Sequence, residues 1–383
     1  MELKHIVIAV DSFKGSISSM EAGKTAADAC RKLLPAARID VFPLADGGEG
    51  TVDALTEGLH GRIVPTTVTG PLQKPVKSRY GLLPDSHSAV IEMADAAGLT
   101  MVPPSQRNPL NPTTTYGLGE LILQAIADGG RDFIIGIGGS ATNDCGLGML
   151  TALGWHFRKA DGSPAGICGR DLADVAVIDG SGADPRLKSC RFRIACDVTN
   201  PLCGPEGCSA VFGPQKGATP EIVAAMDQSI RRFAELAETA QKKHGIKRPG
   251  AGAAGGLGFA FHTFLDGELV PGSQLCLEAI GVRDALKDAD LLITGEGRMD
   301  RQTAMGKGPS GIATLAHQLS PGIRTVAVCG CALPDAEAVN EHGIDAYFPI
   351  LHLPMRVEEA MEEKTARQNL HQTVTQLIRL LRE

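Results

Sequence analysis

Apolar runs of strand length alternate with amphipathic stretches of helical period along most of this chain. Ile6-Val-Ile-Ala-Val10 is a continuous apolar run, and Ser12 to Gly15 reads as a loop. Ser18-Ser-Met-Glu21 has the spacing of a capping box, and Ala22, Ala26, Ala29, Cys30 and Leu33 fall on one helical face behind it. A second strand is predicted over Ile39 to Leu44. It runs into Ala45-Asp-Gly-Gly-Glu-Gly50, after which Thr51 can cap a further helix. This βαβα order predicts a parallel sheet with ligand loops at the carboxyl ends of its strands.

The pattern changes between about Arg62 and Met93, where shorter alternating runs such as Val76 to Leu83 and Ser88 to Met93 are broken by prolines. Further on, helices are predicted at Tyr116 to Ala127 and Glu221 to His244, and strands at Phe133 to Ile137 and Phe192 to Cys196. Toward the end, Asp290 to Thr294, Thr325 to Cys329 and Ala346 to Pro349 read as strands. A helix is expected near Asp335 to Glu341 and a last amphipathic one over Arg356 to Leu381. The two ends resemble each other in period and the middle does not. The expected layout is therefore a discontinuous α/β domain, 1–75 with 285–383, holding an inserted α/β domain over 76–284, with the active site in the cleft between them.

Composition narrows the classes. At 383 residues the chain is long enough for two domains. Glycine supplies 46 of them, well above the usual ~7%, with no G-X-Y period, so it must serve turns and close backbone approach. A net charge of −7 gives no electrostatic footprint for nucleic acid or an anionic membrane. The ten cysteines form no C-x-x-C pair, which argues for reduced thiols rather than zinc or redox chemistry. No run approaches the ~18 apolar residues of a membrane span, and the first apolar run is too short for a signal peptide, so a cytoplasmic enzyme without membrane partners is expected.

Five glycine-bearing or acidic loops follow predicted strands: Asp11-Ser-Phe-Lys-Gly15, Ala45 to Gly50, Gly136-Ile-Gly-Gly-Ser-Ala-Thr-Asn-Asp144, Cys196-Asp-Val-Thr-Asn200 and Thr294-Gly-Glu-Gly-Arg-Met-Asp300. Phosphoryl transfer needs backbone amides for phosphates, hard oxygen ligands for Mg²⁺, a cation for developing charge and a carboxylate to orient the attacking hydroxyl. These loops contain all four. Gly136-x-Gly138-x-x-Ala141, with Asp161 beyond it, also fits a relaxed dinucleotide fingerprint, so an NAD(P)-dependent oxidoreductase of a small hydroxy acid is the alternative. A Walker A loop is excluded, because Arg301 stands where its first glycine belongs and Lys307 is followed by Gly308.

The wording and order of the loops resemble the bacterial type I glycerate kinases. The matching segments are Asp11 to Ser16, Ala45 to Thr51, Gly138 to Asp144, Cys196 to Leu202, Phe212-Gly-Pro-Gln-Lys-Gly217, Gly252-Ala-Ala-Gly-Gly-Leu257 and Thr294 to Arg298. Cys145 is a departure, standing where another glycine is expected. The resemblance implies a flavodoxin-like parallel α/β domain with an inserted restriction-endonuclease-like α/β domain. It also implies ATP- and Mg²⁺-dependent phosphorylation of D-glycerate, typically at the 2-hydroxyl to give 2-phosphoglycerate, with a homodimer left open. By charge and loop position, Gly138, Gly139, Ser140, Thr142 and Asn143 are expected at the phosphates and Asp197 as the hydroxyl-orienting base. Lys14 and Arg298 are expected on the glycerate carboxylate or the γ-phosphoryl group, with Ser12, Asn200 and Lys216 as further substrate contacts. Asp46, Glu49, Glu296 and Asp300 form the pool of Mg²⁺ ligands.

Overall fold

The computed structural model describes residues 3–83, 87–108, 112–306 and 308–382, so Lys307 lies outside the described residues. Its strands are β1 His5–Val10, β2 Arg38–Pro43, β3 Arg62–Thr69, β4 Pro75–Leu83, β5 Ser88–Glu92, β6 Asp132–Gly136, β7 His156–Arg158, β8 Val177–Asp179, β9 Arg191–Ala195, β10 Glu268–Val270, β11 Leu291–Met299, β12 Arg324–Ala332 and β13 Ala346–Pro349. The chain divides into two units. The first comprises residues up to Asp46, Asp53–His60 and Ser273 onward; the second comprises Gly47–Val52 and Gly61–Gly272.

The first unit holds a five-stranded sheet ordered β13-β12-β11-β1-β2, every pair parallel. Counted within the unit, that order is 2-1-3-4-5, the flavodoxin-like doubly wound arrangement, and its switch point lies between β1 and β11. Period-two alternation sorts the side chains to two faces. Ile6, Ile8, Val10, Ile293, Val326 and Val328 pack with Ala22, Ala26, Ala29 and Cys30 of α1 (Ser19–Leu33) and with Leu370, Val374 and Ile378 of the C-terminal helix. Ala327 and Cys329 cluster with Ala313 of the helix Gly308–Leu319 in a separate core. The predicted capping box forms: Ser18 N–H donates to Glu21 Oε2 (3.0 Å) and the Glu21 amide to Ser18 Oγ (3.3 Å). The next residue, Ser19, is buried. Its hydroxyl donates to Val10 O and accepts from Leu44 N–H, tying together the chain ends that leave β1 and β2.

The second unit is built on a six-stranded sheet, β10-β9-β6-β5-β4-β3. β5, β6, β9 and β10 run parallel, whereas β3, β4 and β5 form an antiparallel meander. Phe133 and Phe192 stack at 5.0 Å in its core. Here the expected domain boundaries are corrected. Strand β3 pairs with β4 along its whole length, from Arg62 opposite Leu82 to Thr69 opposite Pro75, so the second unit takes up the chain at Gly61 rather than 76 and keeps it to Gly272 rather than 284. Two elements also differ from expectation. The segment near 335–341 is a 3₁₀ helix, Ala336–His342. The last helix is broken into Val357–Ala360 and Glu363–Leu381, with the chain extended at Glu362 (φ −58°, ψ 129°).

Candidate active site

In the first unit, the acidic loops converge at the switch point. Asp11 leaves β1 with its amide donating to Gly295 O of β11 (2.8 Å), and its own Oδ1 accepts the Ser12 amide (2.6 Å). Gly295 is required by packing, since a Cβ there would lie 1.9 Å from Val328 O. Glu296 Oε1 accepts from Thr303 Oγ1, and Asp300 Oδ1 accepts from the Gln302 amide (2.8 Å). Burial, reinforced by Asp46 and more weakly by Glu296, pushes the Asp11 carboxyl up to about 7. Burial, reinforced by Asp300 and Asp46, takes Glu296 to about 7 as well. The first residue of the helix Gly308–Leu319 stands close by, where a Cβ would come 3.6 Å from Asp11 Oδ2. Lys14 is exposed. Arg298 is two-thirds exposed with Nε 3.6 Å from Asp300 Oδ2. Of the expected metal pool, Asp46, Glu296 and Asp300 therefore gather in this unit, joined by Asp11. Glu49 is exposed on the 47–52 segment of the other unit. Among the described residues no three His, Cys, Asp or Glu side chains form a ready metal cage.

In the second unit, the loops lie at the carboxyl ends of the parallel strands. The 47–52 segment rests on those ends with backbone against backbone: a Cβ on Gly47 would sit 2.4 Å from Ala195 Cβ, and one on Gly136 2.3 Å from Gly47 O. Glu92, the last residue of β5 and only 4% exposed, fastens the segment by accepting the Val52 amide on Oε1 (2.7 Å) and the Gly50 amide. Burial pushes its carboxyl to about 7. In the next loop Gly138 and Gly139 are exposed while Ser140, Thr142, Asn143 and Asp144 are buried. The Oγ1 of Thr142 and the Oδ1 of Asn143 have no hydrogen-bond partner, an uncommon condition for buried polar atoms. Asp144 braces the loop, accepting the Thr115 amide and hydroxyl (2.9 and 2.8 Å) and the amides of Gly146 and Gly148. Gly255, from the Gly252 to Leu257 motif, has φ +67°, and a Cβ on it would strike Thr142 O at 2.2 Å. That motif is thus a left-handed turn pressed against the back of the loop.

Two expectations are corrected here. Asp197 was expected to be partly desolvated at its strand end, but it is exposed. The polypeptide turns outward after Ala195, and Asp197 Oδ1 accepts the Gly272 amide (2.8 Å). Lys216 was expected to reach substrate, but it is 1% exposed. Its ammonium points inward, donating to Ser140 Oγ (2.7 Å) and Thr142 O (2.5 Å). Asn200 is half-buried and donates through Nδ2 to Glu206 O (2.9 Å), and Ser12 is half-buried beside Asp11. Sequence reasoning missed Asp11, Glu92 and Asp144. Each is the acid immediately after, or at the end of, a strand or glycine loop, and that placement was the available signal.

These loops match known proteins. The sequence model of the glycerate kinase family covers residues 6–382. The chain belongs to the glycerate kinase family. It is 45% identical over 375 residues to a glycerate kinase of Haemophilus influenzae, covering 98% of each chain. It is 44% identical over 355 residues to a glycerate 2-kinase of Escherichia coli, covering 93% of this chain and 92% of that one. The crystal structure of a putative glycerate kinase 2 from Salmonella typhimurium superposes with a TM-score of 0.90 at 44% identity, covering 99% and 98% of the two chains. Family membership sets the oxidoreductase alternative aside, and the geometry explains the false fingerprint. After Ala141 the glycerate kinase loop does not open a helix until Leu147, where a dinucleotide site needs one at once, and Asp161 caps an exposed turn through Ser163.

Proposed function

We propose that the protein transfers the γ-phosphoryl group of ATP to the 2-hydroxyl of D-glycerate. Family membership supports the phosphotransfer, and the similarity to the Escherichia coli glycerate 2-kinase supports the 2-position. The observation that carries the site assignment is the loop Gly138–Asp144. It offers exposed glycine backbone next to the buried Thr142 hydroxyl, a donor without a partner, at a strand carboxyl end where anions bind. On this reading Gly138, Gly139, Ser140, Thr142 and Asn143 take the phosphates. Lys14 and Arg298, both exposed, take the glycerate carboxylate or the γ-phosphoryl group, with Ser12 and Asn200 as further substrate contacts. Asp197 orients the hydroxyl. An exposed carboxylate can do this once substrate covers it, and its hydrogen bond from Gly272 fixes the direction of the other oxygen.

Mg²⁺ fits the donors present. It takes one or two carboxylates, substrate phosphates and waters rather than a complete protein cage, and Asp11, Asp46, Glu296 and Asp300 lie close together, with burial first and the neighbouring acids second raising the pKa values of Asp11 and Glu296. Asp46, Glu296 and Asp300, with Asp11 added, would hold it; Glu49 remains the outlying candidate. Bound there, the ion would neutralise phosphate charge. Among the described residues no helix is long and apolar enough to cross a membrane. The ATP that the protein uses, on this reading, is that of the cytoplasm.

The test is a coupled assay of ADP release with D-glycerate and Mg²⁺-ATP, with phosphorus NMR to distinguish 2- from 3-phosphoglycerate and sedimentation to test for a homodimer. Absence of glycerate-dependent ADP release overturns the reading. Asp197→Asn is expected to lower kcat by about 10²-fold with both KM values within a few-fold. An equal loss in KM for glycerate would make Asp197 a binding residue.

A further inference from the structure

Lys216 reaches the Gly138–Asp144 loop from inside the second unit. It closes the 3₁₀ turn Pro214–Lys216, which extends the short helix Cys208–Phe212. The same helix supports the loop at another point, where Asn143 Nδ2 donates to Ser209 Oγ (2.9 Å). Three loop residues in a row of four thus hang on one supporting element: Ser140 and Thr142 from the ammonium, Asn143 from Ser209. Asp144 and Cys208 are the titratable groups that face the ammonium. Asp144 is already supplied by neutral donors, and Lys216 by neutral acceptors, so the two charges share the interior without a direct salt bridge.

The bond to Ser140 has a chemical consequence. A serine hydroxyl carries one hydrogen and two lone pairs. Once an ammonium occupies a lone pair, the hydrogen must be given elsewhere, and the bond from a cation makes the hydroxyl a stronger donor. Ser140 is 6% exposed and follows the two exposed glycines, so it lies where the loop turns from ligand surface to interior.

We propose that Lys216 is a positioning residue that acts through Ser140, fixing its hydroxyl as a donor to the anionic oxygens of the nucleotide and passing part of the buried positive charge to them. This rests on the reading of the Gly138–Asp144 loop as the phosphate site. Loss of the proton from Lys216 would reverse the bond, drawing the Ser140 hydrogen inward. Desolvation, the main cause, brings the ammonium down to about 8, within reach of ordinary buffers.

The experiment compares wild type, Ser140→Ala, Lys216→Met and the double variant with Mg²⁺-ATP and D-glycerate across pH 6.5 to 9.5. Each single variant is expected to lose about 10- to 100-fold in kcat/KM for ATP, the cost of one charge-assisted hydrogen bond. KM for glycerate should stay within about three-fold. The double variant should be no more than about three-fold worse than either single one, because residues acting as a unit are not additive. Wild type should show a one-proton fall in kcat/KM for ATP above pH about 8 that Ser140→Ala lacks. Multiplying effects, or an unchanged alkaline limb in Ser140→Ala, overturn the inference while leaving the kinase reading intact. A wild type without glycerate-dependent ADP release overturns that reading and the inference with it. If Lys216→Met shows no cooperative thermal transition, the decision passes to Ser140→Ala: a wild-type kcat/KM for ATP there, or the same alkaline limb, overturns the inference, and loss of both supports it.

Discussion

The two units carry their charges in opposite ways. In the first, carboxylates gather at the sheet's switch point, half-buried, and burial, with their mutual repulsion added, raises two of them. In the second, Glu92, Asp144 and Lys216 are each under 5% exposed and spend their hydrogen bonds on backbone and hydroxyl groups, while the exposed surface of the loop is left to bare Gly138 and Gly139. A charge at a strand end is thus half-buried among other acids in one setting and a hydrogen-bonded scaffold in the other. Burial and partners decide which it is.

The largest expected effect tests the scaffold side. Asp144→Ala strands the Thr115, Gly146 and Gly148 donors and leaves the Lys216 charge without its counterpart. It should cost about 3–5 kcal/mol in urea unfolding; a loss below about 1 kcal/mol would mean that Asp144 behaves like a surface acid. Next come two glycines in one loop. Gly136→Ala drives a methyl group into Gly47 O and should cost about 1–3 kcal/mol, whereas Gly138→Ala meets only Gly48 Cα at 3.9 Å. The second variant should keep its unfolding midpoint and lose affinity for ATP instead. Equal destabilisation by both would erase the distinction between packed and presented glycine.

The smallest effect belongs to the acid cluster. Asp11 and Glu296, raised to about 7, keep protons in the folded chain between roughly pH 4 and 7 that the unfolded chain has released. Stability in metal-free buffer should therefore decline as pH rises across that window. Glu296→Gln can still accept from Thr303, and should flatten the decline and leave stability at pH 8 unchanged or slightly higher, as read from urea midpoints at pH 5 and pH 8. A steeper decline in the variant would show that the carboxylates stabilise the fold rather than burden it.

Much of this was legible in the sequence. Continuous apolar runs located β1, β2, β11, β12 and β13 to within a residue or two at their starts, and Ser18 to Glu21 announced its capping box. The glycine loops gave the family. What the pattern could not reveal was direction. Lys216 sits between a proline turn and a glycine, as surface lysines do, and nothing local says that its ammonium turns inward to Ser140. Nor does Asp197, behind an apolar strand, disclose that the chain swings outward there. The boundary at Gly61 was hidden for a related reason: β3 alternates like an edge strand of either unit, and only its pairing with β4 assigns it.

The order of the first unit's sheet also bears on how the chain is made. Strand β1, synthesised well before β11, pairs with β2 on one side, but its other neighbour is β11, where Ile6 lies opposite Leu291. Every residue of β1 is buried in the finished protein. At about 5–20 residues per second, the nascent chain must therefore carry an unpaired hydrophobic edge for something on the order of tens of seconds. In that interval the whole of the second unit emerges and can fold. Strand β1 is completed by residues made long after it, so a chain truncated before β11 keeps that hydrophobic edge open.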